Sequence, residues 1–197
     1  MKTIVLFTLI LSATFFFIHC TEAPTNAPEA TASKEASPSQ TDLIKRGEYL
    51  VQTMGCNDCH TPKIMTPTGP APDPARLLSG HPAAEELPAI ANPEILKDYA
   101  LFNMSLTAAV GPWGTTYAAN LTPDDTGLGN WTIEQFGKAI KEGKSKGMDG
   151  TRPLLPPMPW QNLVNINDDD LAAMFAYLQS IPPVNNVVPN LLPPVGM

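Results

Sequence analysis

The chain has 197 residues, 43% of them hydrophobic, which suits one core-bearing domain with appendages. Its net charge of −7 excludes nucleic acid as an expected partner and mildly favours a basic partner surface. Proline is the compositional outlier, at 22 residues, and implies long loops around a small helical core.

Residues 1–19 read as an export signal. Lys2 supplies a short positive start, and Ile4 to Ile18 is nearly all apolar, ending in Phe15, Phe16 and Phe17. That run falls short of the about 20 apolar residues a membrane-spanning helix needs, so cleavage ranks above an uncleaved anchor. Cys20 stands where a lipoprotein signal places its lipidated cysteine, although His19 replaces the small residue usual in a lipobox. Lipidation at Cys20 is therefore the expectation; ordinary cleavage nearby, for example after Ala23, is the rival. Residues 20–41 contain no large apolar side chain and read as a disordered tether with a reach on the order of 25 Å.

From Asp42 to Gly55 the pattern is helical. Leu43, Ile44, Leu50, Val51 and Met54 form an apolar face, with Asp42 as candidate cap. This helix runs into Cys56-Asn57-Asp58-Cys59-His60. Two thiols three positions apart match the separation of the two vinyl groups of haem and can each form a thioether, and the adjacent His60 is then placed to ligate the iron. Zinc needs a second ligand pair, yet the only other cysteine in the chain is Cys20. A thioredoxin-like role needs alternating strands and helices, which the pattern lacks. No cysteine remains for a structural disulfide, so a covalent haem c is expected to supply the stabilisation.

Residues 61–115 read mostly as loop, with prolines at 62, 67, 70, 72, 74, 82, 88, 93 and 112. A short helix from about Pro93 to Leu101, capped by Asn92, is the exception. So long a connection is expected to wrap and pack on the haem edge. Next, Thr132 and Gln135 form a capping box for a helix whose inner face is Ile133, Phe136, Ala139 and Ile140, and Gly143 ends it. The last helix starts at Asn167, carries three aspartates in its first turn, buries Leu171, Met174, Phe175 and Leu178, and stops at Pro182 and Pro183. Residues 185–197 form a Pro- and Asn-rich tail.

A sixth ligand for the iron separates an electron carrier from an open, reactive haem. Met158 is the candidate: it lies between Pro157 and Pro159, so its backbone is stiff, and it precedes the last helix. Core filler is the ordinary role of a methionine, and a loop between prolines suits that poorly. Met148 sits in a Gly-rich loop, Met54 beside the attachment site, and His81 is the rival ligand.

Arg46-Gly47-Glu48-Tyr49-Leu50, Leu155-Pro156-Pro157-Met158-Pro159-Trp160 and Ala176-Tyr177-Leu178 resemble class I c-type cytochromes. The likeness is greatest to the cytochrome c domains found with bacterial periplasmic dehydrogenases and respiratory chains, and it covers residues 42–184. The resemblance implies an all-α, class I cytochrome c fold with long Pro-rich loops, His60 and Met158 as the axial pair, and Gly47 at a close crossing of first and last helices near Tyr177. The interval from His60 to Met158 is longer than in the smallest family members. Asn120-Leu121-Thr122-Pro123-Asp124 also recurs in the family, and polar groups there, or Trp113, Trp131 and Arg152, are candidates to bind the propionates; a capped turn is the plain alternative.

The expected function is transfer of single electrons by one covalent haem c in an exported, membrane-tethered lipoprotein of the periplasm, with no enzymatic reaction of its own. The donor is a dehydrogenase or reductase, and the acceptor an oxidase. Two alternatives stand beside it: a haem-based small-ligand sensor, and a fixed electron-transfer subunit of a membrane-bound complex. Lys138, Lys141, Lys144, Lys146 and Arg152 cluster just before Met158 and suggest a positive rim for an acidic partner, the plain reading being a solvated helix end.

Overall fold

A computed structural model describes residues 38–194. The signal read over 1–19, Cys20, and the tether up to residue 37 lie outside the described residues. Among the described residues there are four α-helices: α1 (Gln40–Thr53), α2 (Cys56–His60), α3 (Ile133–Glu142) and α4 (Asp168–Leu178). Among the described residues no helix is long and apolar enough to cross a membrane.

Local chemistry accounts for each helix end. Ser39, not Asp42, caps α1: its hydroxyl accepts from Asp42 N at 3.2 Å and donates to the Asp42 carboxylate at 2.6 Å. Thr132 Oγ1 accepts from Gln135 N at 3.2 Å, and Gly143, at φ 65°, closes α3 in the left-handed region. The Gln135 side chain completes no box; it donates instead to Lys146 O at 2.9 Å. Asn167 Oδ1 accepts from Asp170 N at 2.7 Å, opening α4. The helix read over Pro93–Leu101 is a 3₁₀ turn over Pro93–Lys97, capped by Asn92.

The expectation of an all-α fold is corrected by five short strands among the described residues. β1 (Lys63–Thr66) pairs antiparallel with β2 (Gly69–Pro72), and β3 (Leu101–Phe102), β4 (Ala108–Gly111) and β5 (Gly114–Tyr117) form an antiparallel sheet in that order. All lie in or just beyond the stretch read as loop. Strands of two to four residues carry too few positions for an alternating pattern to show, and prolines mask the β1–β2 pair. Two-stranded ribbons have only edges, which is where proline is tolerated. Val110, Thr115, Thr116 and Tyr117, beside the Gly111↔Gly114 pair, were the local β signal.

The core lies where α1 crosses α4. Leu50 and Val51 of α1 meet Leu171, Ala173, Met174 and Leu178 of α4, joined by Leu78, Leu128 and Phe136. The Phe136 and Phe175 rings stack at 5.4 Å between centroids. Arg46 reaches both oxygens of Asp170 at 2.8 and 3.2 Å, fastening α1 to the first turn of α4. Gly47 is the contact point: a Cβ there falls 1.9 Å from Ala173 O and 2.8 Å from Tyr177 Cβ. Both neighbours are fixed parts of α4, so an added methyl must push the helices apart. Gly47→Ala gains about 1 kcal/mol of helix propensity, but overpacking against backbone costs about 3 kcal/mol or more. The denaturant midpoint of this variant should therefore fall; an unchanged midpoint would mean that α1 and α4 do not meet closely at Gly47.

The chain after α4 is tied down by side chains. Asn120 Nδ2 donates to Val184 O at 2.8 Å, and Thr115 and Leu192 exchange both backbone hydrogen bonds, at 2.9 and 3.1 Å. Asn186 Nδ2 donates to Ser79 O and His81 O at 2.7 and 2.9 Å, while Ala83 N donates to its Oδ1 at 2.9 Å.

Candidate functional site

The Cys-x-x-Cys-His residues form α2. Gly55, at φ 72°, turns the chain out of α1 in a conformation that only glycine adopts freely, and α2 starts at once. Cys56 and Cys59 are free thiols three positions apart, so their side chains share one face of the turn. Both are half-buried, and Cys56 packs against the core. Burial pushes the Cys56 thiol up to about 11, with Asp58 adding to the shift, and raises that of Cys59 for the same reasons.

A single lysine finishes this turn. Lys63 Nζ donates to the carbonyls of Asn57, Asp58 and Thr61 at 3.2, 3.1 and 2.5 Å, satisfying acceptors that a helix end leaves open. Thr61, fully buried, donates to Asn57 Oδ1 at 2.8 Å and accepts from Leu78 N at 2.9 Å.

His60 has one nitrogen occupied. Its Nδ1 lies 2.7 Å from Ala119 O. A carbonyl only accepts, so Nδ1 carries the proton and Nε2 is left with its lone pair. Burial lowers the affinity of this imidazole for a second proton, with the Ala119 bond opposing. The backbone of His60 is held as well, since Gly80 N donates to its carbonyl at 2.8 Å.

Met158 is half-buried in the loop before a 3₁₀ turn over Trp160–Leu163. Two contacts hold that loop. Thr116 Oγ1 donates to Pro156 O at 2.8 Å, and the Trp160 indole lies so close to Gly143 that a Cβ there falls 2.3 Å from it. Thr116 and Ala119 thus hold the Met158 loop and the His60 ring from one stretch of chain. Three residues span at most about 11 Å, so the two anchor points are close.

The rejected methionines and the rival histidine sit differently. Met54 and Met148 are exposed, at 41% and 46%. His81 is fully buried with both ring nitrogens engaged: Nδ1 lies 2.9 Å from Thr107 Oγ1, and Nε2 lies 3.2 Å from Glu85 O. It has no nitrogen to give to a metal.

The polar residues from Asn120 onward serve the chain itself. Asn120 Oδ1 accepts from Thr122 N and Thr122 Oγ1 at 2.9 and 2.8 Å, and its amide donates to Thr126 Oγ1 and Val184 O. Trp113 is different. Its Nε1 is the buried side-chain polar atom without a partner among the described residues. An unmet buried donor is costly, so this position suits an acceptor from outside the chain. The lysine cluster is largely neutralised by its own neighbours. Asp149 pairs with Lys138 and Lys144, both at 2.5 Å, which holds its carboxyl down at about 2; Glu142 takes Lys144 and Asp168 takes Lys141. Among the described residues that leaves Lys146 and Arg152 of the five outside any ion pair.

Sequence reasoning missed Ala119, Thr116 and Thr107. Ala119 acts through its backbone carbonyl, which no side-chain pattern announces. The two threonines lie in or just beyond the stretch read as loop and carry no signal of their own.

No protein-family model matches the chain. Among curated proteins it is similar to the alcohol dehydrogenase (quinone), cytochrome c subunit, of Gluconobacter oxydans, at 33% identity over 159 residues, 79% of this chain and 25% of that protein. The gluconate 2-dehydrogenase cytochrome c subunit of Pantoea cypripedii is 31% identical over 144 residues, 72% of this chain and 24% of that protein. The fructose dehydrogenase cytochrome subunit of Gluconobacter japonicus is 28% identical over 171 residues, 86% of this chain and 28% of that protein. The chain thus spans about a quarter of the length of these relatives.

Proposed function

Because this chain carries a c-type cytochrome domain, the family to which its relatives assign it, we propose that it is a one-electron carrier with a single haem c. Cys56 and Cys59 hold the haem by thioethers, His60 Nε2 is one axial ligand and the Met158 thioether is the other. The observation that carries this reading is the His60 ring. Its Nδ1–H is spent on Ala119 O at 2.7 Å, so the nitrogen left bare is the one a metal needs. Three further features support it: the Met158 loop is held by the same stretch of chain, His81 has no nitrogen to spare, and Trp113 Nε1 offers a buried donor suited to a propionate.

The bound haem supplies an iron that cycles between ferric and ferrous states. The chain's own part is to keep that cycle clean. A carbonyl-anchored imidazole and a thioether on a doubly fixed loop change position little when the iron's charge changes, and a filled sixth position excludes small ligands. The chain performs no chemical conversion. The Cys-x-x-Cys-His motif occurs once, which supports one haem per chain.

Electrons come from a dehydrogenase or reductase and leave to an oxidase. The relatives' names favour a dehydrogenase as donor, and as dehydrogenase subunits they also favour the second reading, in which this chain is a fixed subunit instead of a shuttle. Export to the periplasm and a lipid on Cys20 belong to the same proposal. The test is haem content and a redox titration on the purified protein. One haem per chain and a reversible single-electron wave are expected; two haems, or steady turnover of a substrate, would contradict the proposal.

A further inference from the structure

Three hydrogen bonds close a ring around the peptide that follows β5. His81 N donates to Ala118 O at 2.9 Å, Ala118 N donates to Thr107 O at 2.8 Å, and Thr107 Oγ1 meets His81 Nδ1 at 2.9 Å. The direction of the last bond is settled by its neighbours. His81 Nε2 faces Glu85 O, which can only accept, so Nε2 carries the proton and Nδ1 is the acceptor. Thr107 Oγ1 therefore donates to Nδ1, and it accepts in turn from Asn103 Nδ2 at 3.1 Å. His81 and Thr107 are 0% and 1% exposed, so water cannot replace a broken link.

This ring borders the carbonyl that sets His60. Ala119 O, one residue beyond Ala118, accepts from His60 Nδ1. Gly80, next to His81 and at φ 79°, lies against the same peptide: a Cβ there falls 2.5 Å from Ala118 O and 2.7 Å from Ala119 O. Gly80 N also donates to His60 O. One short segment, Gly80-His81, thus grips His60 twice, directly at its backbone and through Ala119 at its ring.

We propose that His81 is a positioning residue that fixes the plane of the His60 imidazole, acting through Thr107 and the Ala118–Ala119 peptide. This rests on His60 being the iron ligand. Partners that orient a ligating histidine govern its direction and basicity, and their loss is felt at the metal. His81 stands one step further out. A buried histidine with no other task has no reason to share a closed ring with that one peptide.

The experiment uses the haem-loaded protein and reads two properties that a merely structural residue leaves alone: the g-values of the ferric low-spin signal and the reduction potential. His81→Phe and Thr107→Val each delete the side-chain link and should shift both properties in the same direction. The double variant should shift them no further than either single change, because both cut one ring. His81→Asn keeps an acceptor where Nδ1 stood and should return the properties toward those of the unsubstituted protein. Should His81→Phe fail to fold, Thr107→Val decides alone, since it removes only a hydroxyl. Unchanged g-values and potential in folded Thr107→Val overturn the proposal. Absence of histidine nitrogen coupling to the iron in the unsubstituted protein would instead overturn the ligation on which it rests.

Discussion

Cys56→Ala with Cys59→Ala will yield a protein from which denaturing solvent strips every haem, whereas the unsubstituted chain keeps its haem through the same treatment. Cys56 and Cys59 share one face of α2, and each supplies one thioether under the proposed chemistry. Either bond alone prevents release, so the single variants should still retain haem and the double variant none. Stability should follow attachment. The core is small, no cysteine is left over for a disulfide among the described residues, and a ligand that binds only the native state stabilises it in proportion to its occupancy. A covalent group cannot dilute away; a non-covalent one can. The double variant should therefore unfold at lower denaturant, with a midpoint that rises as free haem is added. Haem retained by the double variant through denaturation would show that these thiols are not its attachment. Alanine at both sites keeps the helix and removes little volume, so a loss through misfolding alone can be recognised from the circular dichroism of the haem-supplemented protein.

The second large effect is expected at Met158. Met158→Ala should lower the reduction potential by on the order of 0.1 V, a modest part of the roughly 0.8 V that axial ligation commands. Loss of the thioether removes a ligand that favours ferrous iron. The emptied position should also admit carbon monoxide in the ferrous protein, which the unsubstituted protein should exclude. The loop itself need not collapse, since Thr116 Oγ1 still holds Pro156 O and Trp160 still lies on Gly143. That separates ligation from folding: the variant should keep its helix content while changing its iron chemistry. A variant with unaltered potential and no carbon monoxide complex would place Met158 among ordinary loop residues.

What the sequence disclosed follows the range of the forces involved. The caps at Thr132 and Asn167, the stop at Gly143 and the apolar stripes of α1, α3 and α4 are all local, and all were legible. Gly47 was expected at the crossing through the family resemblance alone, and the close approach of Ala173 O supplies its physical reason. The strands were lost because their pairing is non-local and each is at most four residues long. Around the candidate site, Cys56, Cys59 and His60 were singled out by residue type and spacing, and Met158 by its flanking prolines. Their supports were not. Ala119 contributes only a carbonyl, and Asn120 and Thr122, read as candidates for the propionates, turn their side chains to Thr126 and Val184 instead. His81 was read as a rival iron ligand, and its buried ring of partners was not legible, because they come from residues 26 and 37 positions away, beyond the reach of any local pattern.

The far-red absorption spectrum of the purified ferric protein tests the central claim most directly. Iron ligated by His60 and Met158 should show a weak sulfur-to-iron band, and that band should vanish in Met158→Ala. A ferric protein without the band, or one whose band survives the substitution, would contradict the assigned ligand pair and with it the reading of this chain as a closed-haem electron carrier.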